Sequence, residues 1–161
     1  MYADLLNLGA IFNVEDTAKI LVNNYKAELK SFKDGLETGE PVRAFVYDSG
    51  EDTPFTAGLY AMPTALIEAA GGVNVMNGFE KSWGTVTWEE VVAQNPEVIV
   101  IVNYGSVTAE QKRAFMMSNP AFATIDAVKN DRFVTLEYVE ATPGPRNIKA
   151  IKTLANSFWG K

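Results

Sequence analysis

Polar and aromatic side chains gather in four segments of this sequence, and these segments are where binding or chemistry would be expected. Residues 48–61 (DSGEDTPFTAGLYA) supply carboxylates, hydroxyls and a phenyl ring. Residues 103–106 (NYGS) and 137–146 (EYVEATPGPR) add two tyrosines and an arginine, and residues 79–83 (FEKSW) add two further aromatic rings. Hydrogen-bonding groups beside apolar walls are typical of small-molecule sites.

Each candidate side chain in these segments also has a purely structural interpretation. Asp48, Ser49 and Gly50 could simply form a turn stabilised by the Asp side chain. The tyrosines could lie at the edge of the core, and the tryptophan could serve packing alone. The candidate ligand-binding residues are Ser49, Asp52, Thr53, Phe55, Trp83, Tyr104, Tyr138 and Arg146.

Composition excludes several classes of protein. The chain has 161 residues, with 14 Lys and Arg against 20 Asp and Glu, which gives a net charge of −6. Nucleic-acid binding needs clustered cations for the phosphates, so we expect no nucleic-acid partner. The sequence contains neither Cys nor His, which removes thiolate and imidazole ligands and any Ser-His-Asp triad.

Enzyme motifs are weak in this sequence. No GxGxxG or GxxxxGK[ST] pattern occurs, and we expect neither a resident cofactor nor a metal site. Two alternatives to a binding module stay open. One is a small α/β enzyme acting on a nucleotide or sugar, with Asp48 or Asp52 as general base. The other is an interaction domain, which predicts a large apolar patch and no pocket.

The elements that position these segments are predicted from hydrophobic periodicity. The runs VRAFVY (42–47), VIVIV (98–102) and FVTL (133–136) are continuously apolar, which favours strands buried on both faces of a parallel sheet. Helical patterns separate these runs, starting at 62, 87, 108 and 145. The sequence therefore predicts a three-layer α/β domain over residues 40–161, with candidate segments at the carboxyl ends of the strands.

A long helix is predicted before this domain. Apolar residues recur at three- and four-residue steps between positions 14 and 38, and Gly39 with Pro41 follows. Residues 1–13 then have two interpretations: the end of a preceding lobe or a natural amino-terminal helix.

Two adjacent glutamates begin the helix after residue 86. Thr87 and Glu90 have capping-box spacing, which assigns Glu90 a structural role. Glu89 is not needed for the cap, so it is either a solvated acid favoured by the helix dipole or a functional group. Arg146, near the start of the last helix, opposes the dipole there and is expected to pair with a carboxylate or an anionic ligand.

Three stretches together resemble a known family: SWGTVTWEEVVAQNPEVIVIVNYG, NPAFATIDAVKNDRFVTLEYVEATPGPRN and TAGLYAMPTALIEAAGGVNV. In order and spacing they are similar to the carboxyl-terminal lobe of cluster A periplasmic binding proteins, which serve ABC importers of ferric siderophores, haem and cobalamin. The resemblance implies a Rossmann-like lobe, preceded by an interdomain helix at 14–38 and by the remnant of an amino-terminal lobe at 1–13.

The same resemblance implies a function and partners. The protein would be a non-catalytic carrier, periplasmic or lipid-anchored outside the cell, that holds a chelate between two lobes. It would deliver this cargo to a permease and its ATPase, with Glu89 docking onto permease arginines. In a haem-binding member without His, the axial ligand from this lobe would be Tyr104 or Tyr138. Without the other lobe, we expect the chain to bind weakly and to self-associate.

Overall fold

The computed structural model describes residues 1–36 and 39–160, in which two helices precede a mixture of strands and helices. In chain order the elements are α1 (Tyr2–Ile11), α2 (Glu15–Asp34), β1 (Val42–Tyr47), β2 (Phe55–Ala57), α3 (Met62–Ala69), β3 (Gly72–Asn74), β4 (Trp83–Thr85), α4 (Trp88–Gln94), β5 (Val98–Asn103), α5 (Ala109–Ser118), a 3₁₀ turn (Pro120–Phe122), α6 (Asp126–Lys129), β6 (Phe133–Glu137), α7 (Tyr138–Ala141) and α8 (Asn147–Trp159).

The central sheet has four parallel strands in the order β3-β1-β5-β6. In register, Ala44 lies beside Val98, and Ile99 lies beside Phe133. Since all four strands run the same way, their carboxyl ends and the segments that follow them meet at one edge. The three strands predicted from the sequence are confirmed, and β3 is an addition that was too short to show a pattern.

Helices cover the sheet on both faces. Ala44 and Val46 of β1 belong to the core that α3 and α8 cover, whereas Phe45 and Tyr47 belong to the core beneath α4, α5 and α6. These four residues are at most 1% exposed. Burial on both faces explains why the strand sequences are continuously apolar, and it confirms the predicted three-layer α/β fold.

The predicted helix starts at 62, 87 and 108 are confirmed. The last helix begins at Asn147 and not at 145, because the Asn147 side chain accepts from the Gly144 N–H at 2.8 Å and closes a turn before it. The Thr87 hydroxyl accepts a hydrogen bond from the Glu90 backbone N–H at 3.2 Å, and the Glu90 carboxylate accepts one from the Thr87 N–H at 2.8 Å. Thr108 and Gln111 repeat this reciprocal cap at the start of α5. Both caps fix where a connection ends and a helix begins.

The long helix is shorter than predicted. The expected span was 14–38, but α2 ends at Asp34, and Gly35 follows as its cap; residues 37 and 38 lie outside the described part. Gly9 of α1 allows close packing on α2, because a Cβ there would lie 2.5 Å from the Cβ of Ala18. Lys152 of α8 binds Glu28 at 2.8 Å and ties α2 to the domain. The interdomain role of α2, and the assignment of residues 1–13 to another lobe, remain predictions.

Candidate functional site

An open cleft of about 600 Å³ lies at the carboxyl edge of the sheet. Its lining is mostly apolar, and four of the predicted residues contribute to it: Phe55, Trp83, Tyr104 and Tyr138. A parallel sheet brings its strand-end segments to this edge, so residues more than 80 positions apart share one cavity.

One wall of the cleft is a two-stranded antiparallel ribbon of β2 and β4. In it the Phe55 and Trp83 rings stack, with centroids 6.0 Å apart and planes 10° from parallel. The turn before β2 closes through hydrogen bonds between the backbones of Phe55 and residues 48 and 49. Gly50 allows this turn because its φ is +86°. These strands are three residues each, too short for the sequence pattern to predict them.

The other aromatic pair follows β5 and β6. The Tyr104 and Tyr138 rings stack with centroids 4.7 Å apart, and each residue is about half exposed. Asn103 and Glu137, the last residues of these neighbouring strands, are joined by a side-chain hydrogen bond of 3.1 Å. Parallel pairing of β5 and β6 therefore brings the two tyrosines together.

A buried lysine holds the Tyr104 segment in place. The Nζ of Lys112 in α5 donates to the carbonyl oxygens of Val102 at 2.7 Å and Tyr104 at 3.1 Å. Burial lowers the pKa of Lys112, and the nearby Asp48 carboxylate opposes that change. The sequence analysis did not single out Lys112, because an α-helical lysine is usually solvated.

Several further lining residues were not singled out from the sequence either. They come from the start of α3, from the segment before β4 and from the α7 region: Leu59, Tyr60, Ala61, Met62, Ala65, Ser82, Ala141, Thr142 and Pro143. Some of them lie inside the segments identified from the sequence, but apolar character alone did not distinguish lining from core. They make the cleft more apolar than those segments suggested.

Other predicted residues lie outside the main cleft. Ser49 lines a neighbouring cavity of about 190 Å³ together with Lys112, and its hydroxyl donates to Asp48 at 2.9 Å. Asp52 and Thr53 are exposed and line neither cavity. Of the two carboxylates considered as a general base, Asp48 alone lines the cleft.

Arg146 also lies outside the cleft lining, exposed at the start of α8. Within the described residues it forms no ion pair, so the expected pairing with a carboxylate is not observed; the nearby Glu140 carboxylate is paired with Lys149 at 2.6 Å. Burial opposes ionisation of Glu140, but the Lys149 ammonium, a backbone N–H of Glu137 and the charge of Arg146 together lower the pKa of Glu140. A contact of Arg146 with a ligand remains a prediction.

The two glutamates of α4 have different surroundings. The Glu90 carboxylate is held by the Thr87 backbone and hydroxyl. Glu89 is exposed, and within residues 1–36 and 39–160 its carboxylate has neither a hydrogen bond nor an ion pair. Glu90 therefore has a structural role in the cap, whereas the Glu89 carboxylate is available to bind a partner.

Within the described residues, no group of three or more acidic side chains is placed to hold a metal ion, and no helix is long and apolar enough to cross a bilayer.

A doubly covered parallel sheet with an open aromatic cleft at its carboxyl edge is typical of α/β domains that bind small molecules.

Comparison with known proteins identifies the family. A family model described as "Periplasmic binding protein" matches residues 1–139, and the chain belongs to this family. The family and the observed sheet confirm the resemblance to cluster A binding proteins and their Rossmann-like lobe.

Individual relatives agree with this assignment. The crystal structure of a periplasmic binding protein from Veillonella parvula is 35% identical, with a TM-score of 0.91, over 99% of this chain and 56% of that one. The Staphylococcus aureus protein IsdE, complexed with haem, shares the fold at 22% identity, a TM-score of 0.84, and 99% and 64% coverage. A vitamin B12-binding protein from Vibrio cholerae is 24% identical over 81% of this chain. That match covers 45% of the relative, so this chain spans about half the length of the curated relatives it matches.

Proposed function

We propose that this chain is the carboxyl-terminal ligand-binding lobe of the substrate-binding component of an ABC importer. Its cargo is a metal chelate or macrocycle of the ferric siderophore, haem or cobalamin type. The observation that carries the proposal is the open cleft of about 600 Å³ with its Phe55–Trp83 and Tyr104–Tyr138 stacks.

The chemistry of the cleft suits such a cargo. A chelator or macrocycle surrounds its metal and presents broad apolar or conjugated faces, which aromatic rings cover favourably. Tyrosine adds a polar edge to an apolar body, and the Tyr104 and Tyr138 hydroxyls are the candidate axial ligands for a haem iron. The printed names of relatives support this class, since one binds vitamin B12 and one was crystallised with haem.

The cleft is open because, in this proposal, a second lobe supplies the opposite wall. The chain covers 45% to 64% of the relatives described above, which leaves room for such a lobe. A nanomolar complex has a binding free energy of about −12 kcal/mol. If loss of half the contacts left about −6 kcal/mol, the Kd would rise to roughly 40 μM. We therefore expect weak binding by these 161 residues alone.

Location and partners follow from the family. We propose that the full-length protein acts in the periplasm, or on the outer cell surface through a lipid anchor, and delivers its cargo to a permease driven by an ATPase. Glu89, exposed and unengaged at the start of α4, is the proposed contact for a permease arginine.

A calorimetric titration of the full-length protein with haemin, cyanocobalamin and ferrichrome tests the proposal. We expect one of them to bind, and we expect Trp83→Leu and Tyr104→Ala each to weaken that binding about tenfold or more, as loss of an aromatic anchor does. Trp159→Phe is the control for a tryptophan change outside the cleft. In the wild type the Trp159 indole N–H donates to the Ala70 carbonyl, away from the cleft lining.

Two results would contradict the proposal. One is the absence of binding tighter than about 1 mM for all three compounds. The other is binding that neither cleft variant weakens, which would place the ligand elsewhere.

A further inference from the structure

One charged side chain, Asp48, is built into the wall of the main cleft. It follows β1, an inner strand of the central sheet, and it is 8% exposed. Among the described residues that line the cleft, Asp48 is the one acid, and no lysine or arginine accompanies it. The other lining side chains are apolar or aromatic, or carry neutral hydroxyl groups. A ligand in the cleft therefore meets a single negative charge from this wall.

The Asp48 carboxylate is held in place, but one of its oxygens has no partner. The backbone N–H of Asp48 donates to the Phe55 carbonyl at 3.1 Å, and the Oδ2 atom accepts from the Ser49 hydroxyl at 2.9 Å. Within the described residues Oδ1 has no hydrogen bond, and no fully buried side-chain oxygen lacks one, so Oδ1 is accessible. It is accessible from the main cleft, because Asp48 does not line the neighbouring cavity. A carboxylate oxygen in an apolar wall favours a hydrogen-bond donor on the ligand.

The buried Lys112 ammonium does not pair with Asp48. Its Nζ donates to the carbonyl oxygens of Val102 and Tyr104, and within the described residues it forms no ion pair. Lys112 lines the neighbouring cavity and not the main cleft. The Oδ1 atom of Asp48 is therefore left for a group of the ligand.

Two exposed cations belong to segments that border the cleft, but neither lines it. The Lys81 ammonium lies 5.5 Å from the centre of the Phe79 ring, and Arg146 lies at the start of α8. Exposed charges are screened by water and salt, so they attract an anion only weakly. A fixed carboxylate in an apolar wall repels an anion more strongly, because the local dielectric constant is lower. Such a like-charge contact is a common source of specificity against a wrong ligand.

We propose that Asp48 selects the cargo by charge. The cleft takes a neutral or cationic chelate that presents an amide N–H or an ammonium group to the Oδ1 atom of Asp48. It disfavours chelates with peripheral carboxylates, so a hydroxamate or corrinoid is preferred to haem with its propionates. This inference rests on the proposed function and narrows the cargo to one charge class.

The test is a calorimetric titration of the full-length protein with three pairs of compounds. The two members of each pair have the same kind of metal centre, but one is neutral at its periphery and the other carries carboxylates. The pairs are ferrichrome with ferrichrome A, cyanocobalamin with its monocarboxylic acid, and haemin dimethyl ester with haemin. The measured quantity is the ratio of the two Kd values within each pair that binds.

Three variants accompany the wild type. Asp48→Asn removes the negative charge and keeps the shape, and Asp48→Ser removes the charge with a smaller side chain. Glu80→Gln is the control, because it removes a negative charge from an exposed position outside the cleft lining, two residues before Ser82 of that lining. Thermal unfolding of each variant reports whether the fold is kept.

We expect the wild type to bind the neutral member at least tenfold more tightly, which is a difference of about 1.4 kcal/mol. Asp48→Asn and Asp48→Ser should each reduce this ratio to about threefold or less, since the repulsion is gone. Glu80→Gln should keep the wild-type ratio, because an exposed charge is screened.

The other outcomes contradict the inference. If the wild type binds both members of a pair equally, or prefers the anionic one, the inference is wrong and the proposed function stands; this comparison needs no variant. If the ratio stays at the wild-type value in a folded Asp48 variant, the charge selection does not come from Asp48. If no compound binds more tightly than about 1 mM, the proposed function and the inference fail together.

Discussion

At the scale of single residues, two buried polar groups at the ends of the central strands hold the ligand-side segments. The Lys112 ammonium joins the end of β5 to the Tyr104 segment. The Tyr47 hydroxyl, at the end of β1, donates to the Gly50 carbonyl at 3.3 Å. Both groups give up hydrogen bonds to water and bind backbone carbonyl oxygens instead. These bonds order the segments that follow β1 and β5 and lie outside the central sheet.

Tyr47 gives the fold a dependence on alkaline pH. Burial, with the negative charge of Glu51 as a smaller cause, raises the pKa of Tyr47 from 10.0 to about 12. Between these pH values the folded protein keeps a proton that the unfolded chain has lost. Stability is therefore complete below pH 10 and falls by roughly 2–3 kcal/mol as the pH rises towards 12.

We expect Tyr47→Phe to remove this loss. Urea denaturation of the variant should give a free energy of unfolding within about 1 kcal/mol of the wild type at pH 7, because one long hydrogen bond is lost. Above pH 10 the wild type should lose stability faster than the variant. Tyr60→Phe, at a residue that is 66% exposed, is the control and should follow the wild type. Parallel pH profiles for Tyr47→Phe and the wild type would refute this assignment.

At the scale of elements, Asn74 at the end of β3 holds the aromatic ribbon of the cleft. Its amide nitrogen donates to the Ala57 carbonyl and to the Thr64 hydroxyl, both at 2.8 Å. Its amide oxygen accepts from the Met76 N–H at 3.0 Å. Asn74 is fully buried, so one side chain connects β3, β2 and α3.

Asn74→Ala removes the side-chain partners of the Ala57 carbonyl and the Met76 N–H, and one of the partners of the Thr64 hydroxyl. We expect the free energy of unfolding to fall by about 2–4 kcal/mol in urea denaturation, and ligand affinity to weaken because β2 carries Phe55. Asn77→Ala is the control at an exposed position of the following turn, where the backbone bond from Asn77 to the Asn74 carbonyl is kept. An equal stability for the two variants would show that Asn74 has no such role.

At the scale of the whole molecule, α1 and α2 present an apolar surface to solvent. Ile11 is 73% exposed and Phe12 is 69% exposed, and Ile20 on α2 is 61% exposed. Large adjacent apolar side chains in water are typical of a surface that another body covers. In the proposed function this body is the other lobe of the carrier.

The 161-residue chain alone should therefore self-associate through this surface. Light scattering over a concentration series should show a rising average mass, and Ile11→Lys combined with Phe12→Lys should restore a monomer. Val107→Lys, at a residue 41% exposed on the ligand side, is the control and should associate like the wild type. A wild-type chain that stays monomeric at every concentration would contradict the prediction.

The sequence by itself determined the layer architecture and the general place of the site. Continuous apolar runs such as VIVIV indicate a strand covered on both faces, and the Thr87–Glu90 and Thr108–Gln111 pairs mark helix starts through local hydrogen bonds. These signals are readable because they depend on neighbours a few positions away. The same holds for the strand-end segments that carry Phe55, Tyr104 and Tyr138.

Only the tertiary structure decided which side chains of those segments share the cleft. Pairing of Phe55 with Trp83 requires a ribbon of two three-residue strands, and stacking of Tyr104 on Tyr138 depends on β5 lying beside β6. Arg146 and Asp52 lie outside the cleft although their segments border it. Such placements depend on contacts between residues far apart in the chain, so the spacing of residues within one segment does not predict them.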